Sequence, residues 1–230
     1  MQLYVAIFDI DGVLLDNAPF KKHFETAEIK LLAKNGIKIP AKRLSSAWKR
    51  ASIGMGFGPD ELLAARLRLF DELKIPKSLL GDYERIDHES FAYYAPMEPD
   101  LRNTLRKIKK LGLYLVALTD TVHSREDKES MLKSAGLDGI LEQVFVPMEI
   151  HHQKPEPEAY KAVLESFKAE PENAVFIGHD KDEIDGAKLL GLTTISYKQR
   201  VKSADYHADS FADIYHIIKD LKRASNSIHV

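Results

Sequence analysis

The chain has 230 residues, 44% hydrophobic and 30% charged, the make-up of an ordinary globular protein with one large domain or a domain plus an insertion. Its net charge of −2, from 33 basic against 35 acidic residues, gives no reason to expect nucleic acid or an anionic membrane as a partner. The lack of Cys excludes disulfides and thiol catalysis. With no basic leader and no apolar run of membrane length, a soluble cytoplasmic protein is expected.

The first element is Leu3-Tyr4-Val5-Ala6-Ile7-Phe8, an apolar run that reads as a buried strand. It stops at Asp9-Ile10-Asp11-Gly12-Val13, which puts two carboxylates at the carboxyl edge of a sheet, where open α/β folds bind ligands. Positions i and i+2 of an extended chain project to the same side. Two like charges that close need a cation, a proton or both between them.

Residues 17–95 contain no convincing strand. They read as helices over about 18–35, 41–52, 60–74 and 77–94, broken by the glycine-rich loop Ile53-Gly54-Met55-Gly56-Phe57-Gly58-Pro59. Tyr94-Ala95-Pro96-Met97-Glu98-Pro99 marks the return. The expected division is a core of 1–16 and 96–230 with a helical insertion, 17–95, positioned to cover the strand ends.

Short apolar runs then alternate with single helices, the signature of parallel βαβ units. The strand 113–118 ends in Thr119-Asp120-Thr121, a hydroxyl and a turn that can offer O–H and N–H donors to a phosphate oxygen. A helix is predicted over 124–135. The strand 144–146 leads to His151-His152-Gln153-Lys154-Pro155-Glu156-Pro157-Glu158, a helix start with Lys154 just before it; the two histidines read as surface residues. After the helix 158–168, the strand 174–177 ends in Gly178-His179-Asp180-Lys181-Asp182-Glu183. A helix over 184–190, a strand over 192–196 and a helix over 213–221 complete the pattern. Taken singly, each polar strand end could be a turn or a helix cap. Jointly they supply a carboxylate nucleophile, a cation, hydroxyl and backbone donors and an acidic cluster, the parts of a phosphoryl-transfer site.

These four stretches, in this order, resemble the haloacid dehalogenase superfamily: Asp9-Ile10-Asp11-Gly12-Val13-Leu14-Leu15-Asp16, Thr119 after its strand, Lys154-Pro155-Glu156-Pro157-Glu158-Ala159-Tyr160, and Gly178 through Ala187. The resemblance implies a three-layer α/β/α Rossmann-like core with a parallel sheet in strand order 5-4-1-2-3, and a helical C1 cap. Asp11 occupies a position that is acidic in the family's phosphatases and not in its dehalogenases. The implied activity is hydrolysis of a small phosphorylated metabolite through an aspartyl-phosphate on Asp9. Asp11 would be the proton donor and then base. Asp11, Gly12, Thr119, Asp120 and Lys154 would hold the phosphate, and Asp16 would be a hinge. Mg²⁺ would rest on Asp9, the Asp11 carbonyl and an acid of the fourth motif.

That fourth motif departs from the family's Gly-Asp-x-x-x-Asp, with His179 at the first acid, Asp180 one residue late and Glu183 at the second. Mg²⁺ prefers oxygen, so Asp180 is the expected ligand rather than His179, with Glu183 binding a metal-bound water or Lys154. A phosphoryl mutase of the β-phosphoglucomutase type and a non-catalytic binding protein on a decayed scaffold are the alternatives.

Overall fold

The computed structural model describes residues 3–227; the ends of the expected core range, 1–2 and 228–230, lie outside them. Packing divides the chain into two units. The first is Met1–Asp16, Pro96–Asp120 and Gly136–Val230; the second is Asn17–Ala95 and Thr121–Ala135. Residues 121–135, expected in the core, therefore group with the helical unit. His123 packs edge-on against Phe91 and Asp127 lies 3.6 Å from His88.

The strands of the main sheet are β1 (Val5–Phe8), β2 (Tyr114–Leu118), β3 (Gln143–Phe145), β4 (Ala174–Gly178), β5 (Thr193–Tyr197) and β6 (Tyr206–Ala208). The helices are α1 (Ala18–Lys34), α2 (Ala41–Ala51), α3 (Pro59–Leu73), α4 (Leu80–Ser90), α5 (Leu101–Lys109), α6 (Arg125–Ser134), α7 (Pro147–Ile150), α8 (Pro157–Ser166), α9 (Lys181–Leu190) and α10 (Phe211–Ser227). None is long and apolar enough to cross a membrane, among the described residues.

The sheet runs β3-β2-β1-β4-β5-β6 with every pair parallel. That is the expected order with one strand, β6, added at the edge. β1 is buried throughout because helices cover both faces. Val5 and Ile7 meet Val116, Leu118, Ala174 and Phe176 on the side closed by Tyr160 and Val163 of α8 and Ile184 and Ala187 of α9. Phe8 faces the other way and stacks on Phe211 of α10, which packs with α5. These are the three layers of the α/β/α core. Phe8 is in register with Ala117 of β2 and Ile177 of β4, so Asp9, Thr119 and His179 leave the sheet at one edge.

The second unit is helical. α1 pairs with α4 and α2 with α3, around Leu32, Leu44, Ala47, Leu69, Phe70 and Tyr83. Pro59 and the acids Asp60 and Glu61 start α3, as the helix dipole and the missing proline N–H favour. α6 begins with a reciprocal cap: Ser124 Oγ accepts from the Asp127 N–H and Asp127 Oδ2 from the Ser124 N–H.

Candidate active site

Asp9 follows β1, and its N–H donates to the Ile177 carbonyl, which fixes it against β4. The chain then coils tightly: the Ile10 carbonyl accepts from the N–H groups of Leu14 and Leu15 at 2.8 Å, and Gly12 N–H donates to the Leu15 carbonyl. Gly12 has φ 82, a left-handed conformation. A Cβ there would also stand 3.2 Å from the His179 ring, so glycine lets that imidazole approach.

Lys154 comes from the segment after β3 and α7. Its ammonium lies 2.7 Å from Asp9 Oδ1 and 3.0 Å from Glu183 Oε1, and only 1% of its side chain is exposed. The Phe176 ring sits 5.8 Å from the same ammonium. Asp120 steadies the lysine from the backbone side: its Oδ1 accepts the Lys154 N–H at 3.2 Å. Gly186 of α9 admits the Lys154-Pro155 turn, since a Cβ there would lie 2.6 Å from the Pro155 carbonyl oxygen. That contact fixes the distance between Lys154 and the Glu183 end of α9.

The electrostatics follow from this burial. Burial pushes the Asp9 carboxyl up, and the Lys154 ammonium with His179 more than offsets it, leaving Asp9 below the ordinary range. Lys154 itself is pulled down by burial and raised further by Asp9, Glu183 and Asp120, so it stays charged. Burial outweighs Lys154 at Glu183, whose carboxyl is raised. Asp120 is also raised, by burial first. The Asp9 carboxylate lifts the His179 imidazole against its burial.

Thr119 is buried at the end of β2, its N–H bonded to the Phe145 carbonyl. In the fourth motif Glu183 reaches Lys154, one of the two partners expected for it, at 3.0 Å. Asp180 is exposed, and its carboxylate caps α9 by accepting from the N–H groups of Asp182 at 2.8 Å and Glu183 at 3.4 Å. Both bonds use Oδ1. His179 instead comes to Asp9, with Nδ1 3.4 Å from Oδ2. Glu183 is held by its own helix, whose Glu183 carbonyl accepts from the Tyr160 hydroxyl at 2.7 Å.

No three His, Asp or Glu side chains converge as a ready metal cage among the described residues. Mg²⁺ does not need one: it binds through one or two carboxylates and keeps waters and substrate phosphate. Glu183 Oε2 is buried with no hydrogen-bond partner beside the Asp9 cluster. An orphaned carboxylate oxygen near a second carboxylate suits a hard divalent cation, so the residues fit one. Sequence reasoning also missed the Asp120 carboxylate and the Tyr160 hydroxyl, which act on Lys154 and Glu183 through backbone atoms.

A haloacid dehalogenase-like hydrolase family model matches residues 5–191. Pyrophosphatase PpaX of Bacillus thuringiensis (strain Al Hakam) is 23% identical over 232 residues, covering 97% of this chain and 100% of that protein. A HAD phosphatase from Thermococcus onnurineus superposes with a TM-score of 0.71 at 22% identity, covering 94% and 98% of the two chains. The putative HAD-hydrolase YfnB from Bacillus subtilis, bound to magnesium, gives a TM-score of 0.68 at 19% identity, covering 95% and 99%.

Proposed function

The chain belongs to the haloacid dehalogenase-like hydrolases, and on that footing we propose that it hydrolyses a small phosphate monoester through an aspartyl-phosphate on Asp9. The observation that carries this reading is the buried Lys154–Asp9 pair at 2.7 Å. It keeps Asp9 ionised in a site that would otherwise protonate it. A phosphatase-type activity is also what the pyrophosphatase and phosphatase relatives perform.

In the proposed reaction an Asp9 oxygen attacks phosphorus and the bond to the leaving oxygen breaks. Asp11 gives its proton to that leaving alkoxide. A water then attacks the phosphorus of the aspartyl-phosphate, losing its proton to Asp11 as the bond to Asp9 breaks, so Asp11 regains its starting form. Lys154 holds charge on Asp9 and on the transferring phosphoryl group. The Thr119 hydroxyl, the Asp120 N–H and the Gly12 turn hold phosphate oxygens. Mg²⁺, held by Asp9, the Asp11 carbonyl and Glu183, would supply positive charge to the phosphate.

The test is a screen of phosphate esters of sugars, nucleosides and glycolate, with Mg²⁺ and with EDTA, using ³²P-labelled substrate. Release of the label as free phosphate in the Mg²⁺ arm is expected. Label returned to a second sugar position would make the protein a mutase. No turnover on any ester would overturn the enzyme reading.

A further inference from the structure

Lys154 sits on an irregular segment between Ile150, the end of α7, and Pro157, the start of α8. The segment's own bonds are local. His151 N–H donates to the Pro147 carbonyl at 2.7 Å, and Glu156 N–H to the Gln153 carbonyl at 2.8 Å. Such bonds shape the loop but leave its distance from the sheet open. Two contacts with distant parts of the same unit set that distance. Pro155 lies against Gly186 of α9, and the Asp120 carboxylate accepts the Lys154 N–H across 34 positions of sequence.

A lysine side chain is a flexible four-carbon stem, so its ammonium is only as well placed as the backbone beneath it. Here that ammonium has to meet two acids at once, 2.7 Å from Asp9 Oδ1 and 3.0 Å from Glu183 Oε1. Asp120 is well suited to anchor the loop. It follows Thr119, whose N–H donates to the Phe145 carbonyl at 3.2 Å. The turn is thereby fixed to β3, the strand that leads into the Lys154 segment. A carboxylate also holds a backbone N–H more strongly than a neutral acceptor does. Burial disfavours the charged form of Asp120, while the Lys154 ammonium and N–H favour it. Asp120 in turn favours the charged form of Lys154.

We propose that Asp120 is a positioning residue: its carboxylate holds the Lys154 backbone so that the ammonium stays on Asp9 and Glu183. The residue then has two separate duties. Its N–H serves the phosphate in the reaction above, and its side chain serves the lysine. A displacement of about 1 Å at a reacting group costs on the order of 10²-fold in rate, so a loosened loop is expected to be felt in turnover. That kinetic consequence rests on the phosphatase reading. The placement of the ammonium does not, and it is measured without turnover. A side chain that merely stabilised its own turn would affect unfolding and leave the ammonium where it is.

The test compares Asp120→Ala, which removes the acceptor, with Asp120→Asn, which keeps an oxygen in its place, in the full-length protein. A buried, hydrogen-bonded ammonium is protected from exchange with water, so its proton–nitrogen NMR signal reports its placement. The Lys154 signal is identified by its absence in Lys154→Met. It is expected in the wild type and in Asp120→Asn, and lost to exchange in Asp120→Ala. With p-nitrophenyl phosphate and saturating Mg²⁺, kcat of the Ala variant is expected to fall by about tenfold or more, with KM within about threefold. The Asn variant is expected to recover most of that loss. Thermal unfolding shows whether each variant is folded; if Asp120→Ala is not, Asp120→Ser, whose oxygen stops short of the Lys154 N–H, replaces it. A truncated variant that keeps the ammonium signal, an Asn variant that loses it, or no protected signal in the wild type would overturn the proposal. A wild type that shows the signal and no turnover would remove the phosphatase reading and leave the NMR comparison to decide the placement.

Discussion

Lys154 and Asp9, 145 positions apart in the chain, meet at 2.7 Å with both side chains buried. Lys154 also has Glu183 at 3.0 Å, whereas the lysine is the main cation that offsets the burial of Asp9. Lys154→Met preserves most of the volume but leaves the buried Asp9 and the half-buried Glu183 without the ammonium between them. Removing one partner of a buried pair costs about 3–5 kcal/mol, and a drop of that size is expected in urea unfolding at pH 7. The lysine holds Asp9 low, so the stability it supplies through Asp9 is present above the ordinary carboxyl value and lost as pH falls through the lower folded value. The Lys154→Met deficit should therefore shrink towards low pH. Asp9→Asn, by contrast, should abolish p-nitrophenyl phosphate hydrolysis with an unchanged circular dichroism spectrum; near-normal turnover would exclude Asp9 as the nucleophile.

Asp11→Asn removes the proposed proton donor and base while leaving Asp9 in place. A loss of about 10²–10⁴-fold is expected for alkyl phosphates, the usual scale of general acid–base catalysis. The loss should be smaller for p-nitrophenyl phosphate, whose leaving group needs little protonation. Equal losses for the two ester classes would contradict the acid role.

The fourth motif separates a cap from a ligand. Asp180→Ala removes the N-cap of α9 and should cost about 1 kcal/mol of stability with little change in the Mg²⁺ concentration giving half-activity. Glu183→Gln should raise that concentration at least tenfold. The Mg²⁺ dependence of both variants decides it: if Asp180→Ala shifts the curve and Glu183→Gln does not, the exposed acid is the ligand.

Glu28 gives a pH signature in the other unit. Burial is the main cause that raises its carboxyl from 4.5 to about 7, against a smaller lowering by Tyr83. A raised folded value means the unfolded chain loses this proton first, so stability falls as pH climbs from about 4.5 to about 7 and then levels off. Glu28→Gln cannot ionise. It should match the wild type near pH 4 and exceed it at pH 8, by up to roughly 3 kcal/mol for a shift of this size. Unfolding midpoints that differ equally at both pH values would exclude the linkage.

The central strands were legible because each is an apolar run with a polar stop, and the order of those stops carried Asp9, Thr119 and Lys154. β6 escaped notice because Tyr206–Ala208 is short, exposed at its start and set among Ser and Asp. α5 was missed although Leu101, Leu105 and Ile108 form a buried helical row, because two prolines just before it read as a boundary. At the site, spacing along the chain could not say which way the fourth motif turns. The answer lies in Asp180 bonding forward to its own helix and in a glycine at position 12 that leaves room for His179. Nor could it reveal the Glu28 cluster, whose members come from separate helices and meet only after folding.

The grouping of residues 121–135 with the helical unit bears on protein engineering. An experimenter who grafts 17–95 into a relative, treating it as one cassette, leaves behind His123 and all of α6. The graft would lose the partner of Phe91 and Val122 and His123, which line a cavity of about 380 Å³ with α1 to α4. A chimera that exchanges the helical unit between relatives has to carry both segments, cut at four junctions rather than two.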